Sequence, residues 1–265
     1  TPILSRLAAN IGGGSVGGTR RRSSGVIAYS GAAAPIMNTS DAAGQILSSG
    51  VRSDPNASYL QLAIPFNGSN NGTTFTDQVP TGRTSSARTI TRFGDAKTVT
   101  STYKFYGSSV YFDGNGDYLT VPNSSDLQPA GTGSFTAECW FYPGGGNEYI
   151  MGIGDFFYTS CTGWHLFYTG GTLYFRTYPN SGNDITGSIS SGWYHLAFVR
   201  NGTTHTLYLN GTSIGSNTVA TVPNWTSSDL SIGYEIYRGN WPMSGFVQDV
   251  RIYKDFAKYT ANFTP

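Results

Sequence analysis

From residue 59 onward the sequence runs in short stretches of alternating apolar and polar residues. Turn-forming clusters break them at roughly the 8–12-residue spacing that sandwiches and barrels require. A period of two selects strands, because successive side chains of a strand face opposite ways. The predicted strands are 59–64, 98–102, 110–112, 118–121, 135–142, 148–153, 163–168, 172–176, 193–200, 205–209, 212–216, 229–232 and 246–253. Between them stand Asp113-Gly-Asn-Gly, Gly144-Gly-Gly-Asn, Gly170-Gly, Asn201-Gly and Asn210-Gly, where Gly and Asn accept a positive φ at little cost. Pro122, Pro143, Pro179 and Pro223 fall at strand ends, where a missing N–H does no harm. Charged residues are only 12% of the 265, aromatics are 14%, and helix formers are scarce. A helical bundle, a coiled coil and a long α/β enzyme are not expected on these grounds. The lack of a long apolar run excludes a membrane-spanning helix.

Alternation also assigns faces. In the run from Phe135 to Tyr142, Phe135, Ala137, Cys139 and Phe141 form an apolar face, expected in the core. Thr136, Glu138, Trp140 and Tyr142 form the other. The run at 193–200 has two apolar faces: Tyr194, Leu196 and Phe198 on one, and Trp193, His195, Ala197 and Val199 on the other. It is therefore placed centrally, in a sheet covered at least in part on both sides. Leu207 and Leu209 point inward, Tyr208 and Asn210 outward. Two stacked antiparallel sheets bury these faces most simply.

Residues 1–58 lack this grammar. Ile11-Gly-Gly-Gly-Ser-Val-Gly-Gly-Thr-Arg-Arg-Arg is a basic, glycine-rich stretch with no apolar face to offset the ordering cost of about 1–2 kcal/mol per residue. The chain divides into an extended arm, 1–58, and a folded body, 59–265. The arm holds five bases against two acids, the body eleven against thirteen. Neither half has the field of a nucleic-acid binder, so nucleic acid and membrane are not expected partners. An arm unable to fold alone is expected to lie on another protein. Ile3, Leu4, Ile36 and Leu47 would then be apolar anchors, and Arg6, Arg20, Arg21 and Arg22 would dock on an acidic face. Residues 1–19 do not read as a signal peptide, since the arginine triplet follows the small-residue stretch.

The run Gly107-Ser-Ser-Val-Tyr-Phe-Asp-Gly-Asn-Gly-Asp-Tyr-Leu-Thr-Val-Pro resembles the opening hairpin of the laminin-G-like, or concanavalin A-like lectin/glucanase, superfamily. Ser134-Phe-Thr-Ala-Glu-Cys-Trp-Phe-Tyr-Pro, Trp193-Tyr-His-Leu-Ala-Phe-Val-Arg-Asn-Gly, Leu207-Tyr-Leu-Asn-Gly-Thr and Ser244-Gly-Phe-Val-Gln-Asp-Val-Arg-Ile-Tyr follow in the family's order. The resemblance implies an all-β antiparallel jelly-roll sandwich behind the N-terminal arm. A narrower likeness is to such modules in virion proteins of tailed marine and cyanobacterial phages. It rests on Ile64-Pro-Phe-Asn-Gly and on Tyr259-Thr-Ala-Asn-Phe-Thr-Pro.

The chemistry that the body could carry is limited. Glucanases of the superfamily need closely spaced carboxylates, roughly 5–5.5 Å apart in retaining enzymes. Glu138, Glu148 and Glu235 are the only glutamates, and none has an acid two residues away. His165, His195 and His205 stand singly on strand-like runs and are expected to be satisfied structural histidines. Cys139 and Cys161 can pair or remain buried thiols, and the sequence leaves both open. The chain is expected to be non-enzymatic and to need no cofactor beyond a structural Ca²⁺. Asp113 and Asp117 flank an oxygen-rich turn, and the resemblance implies an ion site near Asp249 of the last strand. The alternative is that Asp113 caps its turn while Asp249 accepts backbone or arginine hydrogen bonds.

Sugar binding needs aromatic platforms beside a few polar groups. Trp225, Tyr234, Tyr237, Arg238 and Trp241 cluster in the late loops, with Asn224, Glu235 and Asn240 among them. Phe156, Phe157, Tyr158 and Trp164 form a second group. The primary expectation is a virion protein, a capsid decoration protein that associates with itself and with capsid or tail proteins through its arm. The alternative is a lectin-like glycan-binding module of a tail fibre or adhesin, facing a host surface glycan.

Overall fold

A computed structural model describes residues 54–79, 87–129, 131, 133–155, 161–177, 184–220 and 228–265, with the backbone of Val26–Ile27 and Met37–Asn38. Those two short pieces, β1 (Val26–Ile27) and β2 (Met37–Asn38), pair antiparallel with each other. The body supplies β3 (Leu60–Ile64), β4 (Thr91–Phe93), β5 (Lys97–Val99), β6 (Ser109–Asp113), β7 (Tyr118–Val121), β8 (Phe135–Pro143), β9 (Asn147–Ile153) and β10 (Trp164–Thr169). It continues with β11 (Thr172–Thr177), β12 (Ile185–Ser188), β13 (Tyr194–Asn201), β14 (Thr204–Leu209), β15 (Thr212–Thr218), β16 (Leu230–Ile232) and β17 (Ser244–Lys254).

They form two antiparallel sheets. One has seven strands in the order β12-β11-β10-β9-β16-β7-β4; the other has eight, seven of them in the order β15-β14-β13-β8-β17-β6-β5, with β3 off this path and paired to β17. The inward faces meet in one core: Phe135, Cys139 and Phe141 of β8, Leu196 and Phe198 of β13, and Leu207 of β14 on one side. Leu119, Met151, Trp164, Leu166 and Phe175 come from the other. Full burial of each such side chain is worth about 1.5–3 kcal/mol. The expected all-β sandwich is thus present, with the faces of 135–142 and 193–200 as alternation assigns them.

The long β17 organises the eight-stranded sheet. Along one edge it pairs with β8; along the other, its first half pairs with β6 and its second half with β3. Its register against β8 shifts between Gln248 and Arg251, where Asp249 has φ +54°. Two residues of β17 oppose Cys139 at this bulge, a geometry that re-aims a side chain. Val247, Val250 and Ile252 face the core. Gln248 turns out instead, accepts from the Lys104 and Phe105 N–H groups at 2.9 and 2.7 Å, and staples that loop to the sheet.

The outer face of the eight-stranded sheet is covered at both ends of the body. Asp54 is buried; it accepts from Nη1 of Arg251 at 3.1 Å and from the Tyr253 hydroxyl. The packed unit therefore reaches back to Asp54. At the other end, Ala257, Tyr259 and Phe263 pack on Ala197, Val199 and Tyr208. Tyr259 and Phe263 stack with centroids 3.5 Å apart. This C-terminal strap is why β13 carries two apolar faces.

Candidate functional site

Among the described residues the outer face of the seven-stranded sheet carries two of the four exposed large aromatic side chains, Phe93 and Tyr237. The segment between β16 and β17 lies across it. Gly233 N–H donates to the Ile150 carbonyl at 3.1 Å, Tyr149 N–H to the Trp241 carbonyl at 3.1 Å, and Met243 N–H to the Gly233 carbonyl at 2.8 Å. Its tip, 235–240, is closed by the Glu235–Asn240 bridge. The Glu235 carboxylate is buried and accepts the N–H groups of Tyr237 and Arg238 at 3.0 and 2.9 Å. Burial raises its pKa, against the pull of those two donors. Arg238 grips Asp155 with both Nε and Nη2, at 2.9 and 2.7 Å. Such a bidentate pair fixes direction as well as distance. Between these clamps Tyr237 stands 60% exposed.

Beside the loop runs a row of rings. Phe93 stacks on Tyr118 at 4.4 Å and 7°, and Tyr118 on Tyr234 at 5.4 Å and 24°. Phe93 at the end of the row is 39% exposed. Farther along, Trp241 meets Phe167 edge to face at 5.5 Å, and Phe167 stacks on Tyr174. Of the five residues expected to touch a glycan, four are therefore brought to one face. Tyr237 is displayed, Tyr234 ends the row, Arg238 clamps the loop, and Trp241 is partly buried against Phe167. Trp225 lies outside the described residues. So do Phe156, Phe157 and Tyr158 of the second group, while its Trp164 is fully buried in the core and is no platform. Phe93, Tyr118 and Asp155 were not singled out by the sequence; the outward phase of Tyr118 on β7 was the available signal.

Three carboxylates, Asp95, Asp113 and Asp117, have oxygens within 4.8 Å of one another. Asp117 accepts the Asp95 N–H at 2.6 Å and the Asp113 N–H at 3.2 Å; burial is the chief cause of its raised pKa, with the neighbouring acids adding to it. Asp113 accepts the Asn115 N–H at 2.7 Å and so caps its own turn. These are the residues that could hold a cation. Asp249 is not among them: its carboxylate takes Nε of Arg251 at 2.9 Å and the Tyr106 hydroxyl at 3.2 Å.

The histidines and cysteines have structural surroundings. His165 is buried, with Nε2 donating to the Thr162 carbonyl and Nδ1 accepting from the Tyr149 hydroxyl, each at 2.7 Å. Burial pushes its pKa down to about 4. His205 accepts from Arg200 at 2.5 Å, and burial, with help from that arginine, pushes it down to about 3. Cys139 and Cys161 are free and buried, and burial pushes Cys161 up to about 12. Cys139 faces the core while His195 faces the outer side of the same sheet, so the two cannot form a dyad. The arm residues Ile3, Leu4, Arg6, Arg20, Arg21, Arg22, Ile36 and Leu47 all lie outside the described residues.

This architecture, two antiparallel sheets packed face to face around one core, is that of a class of lectin-like domains. The family model of the concanavalin A-like lectin/glucanases superfamily matches residues 112–257, and the chain belongs to that superfamily. No curated protein matches the sequence. Among solved structures, the binding domain of botulinum neurotoxin serotype D/C VPI 5993 is similar, with TM-score 0.54 and 15% identity, over 74% of this chain and 49% of that one. A binding domain of botulinum neurotoxin DC in complex with SialylT gives TM-score 0.54 and 14% identity, over 74% and 48%. Domain 4 of AbnA, a GH43 extracellular arabinanase from Geobacillus stearothermophilus in complex with arabinotriose, gives TM-score 0.52 and 17% identity, over 75% of this chain and 94% of that one. The chain thus spans about half the length of the neurotoxin binding domains.

Proposed function

We propose that this protein is a non-enzymatic, lectin-like carbohydrate-binding module whose ligand lies on the outer face of the seven-stranded sheet. The observation that carries the reading is Tyr237, an aromatic ring 60% exposed at the tip of a loop held by the Glu235 carboxylate and the Arg238–Asp155 pair. A free ring on a fixed backbone offers apolar area to the C–H face of a sugar with little ordering cost. The adjacent Arg238–Asp155 pair and the edges of the Phe93–Tyr118–Tyr234 row supply polar groups and contact beside it. The lectin superfamily supports the reading, and so does a similar domain solved with arabinotriose.

A glycan array probed with the full chain tests it. Selective binding that Tyr237→Ala abolishes is expected. Absence of selective binding, or binding indifferent to Tyr237→Ala and Tyr118→Ala alike, overturns the assignment.

A further inference from the structure

The opposite face holds a second feature that the aromatic loop does not use. Where the C-terminal strap and the Asp54 segment converge on the eight-stranded sheet they leave an open cavity of about 160 Å³. Trp140 and Tyr259 give it aromatic surface, and Glu138, Asp249, Lys258 and His195 give it polar groups. At ~30 Å³ per water it has room for about five waters, or for one small polar molecule. An oligomer does not fit.

The hydrogen-bond inventory of the lining selects the occupant. Arg251 is buried and paired with two carboxylates, Nε on Asp249 and Nη1 on Asp54, with Nη2 on the Tyr106 hydroxyl, so three of its five N–H groups are committed. Lys258 donates to Glu138 at 2.5 Å and to the Tyr253 hydroxyl at 2.9 Å, and an ammonium has one N–H more. Glu138 also accepts from Tyr259 at 2.7 Å. Asp249 accepts two hydrogen bonds, and a carboxylate can take about four. The cavity therefore offers unused acceptor capacity on Asp249, an unused donor on Lys258, and two aromatic rings.

The balance of charge narrows the choice. Asp54, Glu138 and Asp249 stand against Arg251 and Lys258, so the lining is not net positive even with His195 protonated. An acidic sugar or a phosphate finds both cations already paired with carboxylates. An ammonium meets two cations already in place and can use only the acceptors. A hydroxyl both donates and accepts, so neighbouring hydroxyls on a ring can satisfy Asp249 and Lys258 together, leaving the ring's C–H groups to meet Trp140 or Tyr259 edge-on, since one face of each is already covered by Lys104 or Phe263. We propose that this cavity binds a single neutral sugar residue, end-on, as a second carbohydrate site on the opposite sheet from Tyr237. It rests on the carbohydrate reading of the protein, but uses none of the same residues.

The test is a ¹⁹F NMR titration of the full chain labelled with 5-fluorotryptophan, using a panel of neutral pentoses and hexoses. The Trp140 resonance is assigned by Trp140→Phe. Binding should move that resonance, and Asp249→Asn, which keeps shape and tolerates the positive φ, should weaken it at least tenfold. Thr264→Trp, an exposed mouth residue enlarged to fill the cavity, should abolish it with the network intact, which covers the case in which Asp249→Asn fails to fold. Tyr237→Ala should leave the shift unchanged. No shift with any neutral sugar, a shift with methylammonium in their place, or binding that survives Thr264→Trp overturns the proposal. Array binding that depends on Tyr237, with no Trp140 response to any neutral sugar, marks failure of this second site alone. A Trp140 response with a null array marks failure of the Tyr237 site alone.

Discussion

Lys258 sets its ammonium 2.5 Å from Oε1 of Glu138, a carboxylate 120 residues earlier in the chain and on the sheet that the C-terminal strap covers. Burial alone would raise the pKa of Glu138; Lys258, followed by His195 and Arg251, outweighs it and holds the group down at about 2. Removing one partner of such a pair strands a buried charge, which costs about 3–5 kcal/mol. Lys258→Met should therefore destabilise the protein by about 3 kcal/mol in urea unfolding, and Lys258→Met/Glu138→Gln together by clearly less. Because the folded pKa is depressed, this stabilisation is present above the ordinary 4.5 and is lost as pH falls toward 2. A melting temperature that stays flat from pH 4.5 to 2 would contradict it.

Glu148 predicts the opposite slope. It is fully buried, with Oε1 accepting the N–H groups of Gly144 and Gly145 at 3.1 and 2.7 Å. Burial raises its pKa to about 7, more than those backbone donors lower it. A raised acid favours the protonated fold, so its contribution is complete below 4.5 and is lost as pH rises through 7. Glu148→Gln keeps an acceptor for the glycine turn and should remove this loss, on the order of 1–3 kcal/mol at pH 8. Urea unfolding of both proteins at pH 4.5 and pH 8 checks it. Equal pH dependence would show that Glu148 does not govern this range.

Sequence alone told most about the sandwich where one face of a strand is apolar and the other polar. Phe135, Cys139 and Phe141 face the core as alternation requires, and the two apolar faces of β13 find the core on one side and Tyr259 with Phe263 on the other. Two strands escaped it. Thr91–Phe93 has three residues, all exposed, so there is no burial pattern to read. Ile185–Ser188 has one buried residue in four, and Gly187 within it. For Asp249 the sequence left an ion ligand and an arginine acceptor both open, and the bulge at that residue turns its carboxylate to Arg251, the second of these. In the candidate site, Tyr237 and Arg238 stood out as an aromatic and a cation in one loop. Asp155, which fixes them, lies 83 residues earlier and is brought there only by the fold. Attachment through residues 1–58 remains an expectation of sequence alone.

The stacked row makes a graded prediction for ligand binding. Tyr118 has a ring on each side, whereas Phe93 and Tyr234 each have one neighbour in the row. If the row buttresses the Tyr237 loop, Tyr118→Ala should loosen Tyr234 and weaken glycan binding by about tenfold, or ~1.4 kcal/mol. Phe93→Ala, at the exposed end, should weaken it less. Isothermal titration with a glycan selected from the array ranks them. An effect of Phe93→Ala larger than that of Tyr118→Ala would show direct contact at the end of the row instead of support through its middle.

The strap depends on Gly211. This residue has φ +79°, and its N–H-bearing turn carries the carbonyl that accepts from Phe263 at 2.9 Å. A β-carbon there would overlap the Phe263 carbonyl oxygen. An L side chain at such a φ costs about 1–2 kcal/mol before any clash. Gly211→Ala should therefore undock Phe263 and Tyr259 from Ala197, Val199 and Tyr208 without opening the core behind them. Hydrogen exchange would show it as faster exchange at Phe263 and at the Ser213 N–H, which now donates to Asn262 at 2.9 Å, while β8 and β13 stay protected. Because Tyr259 also donates to Glu138, the same substitution should bring forward acid unfolding between pH 4.5 and 2. If exchange rises across β13 as well, the strap and the sheet unfold as one unit, and the tail is part of the core's cooperativity instead of a layer upon it.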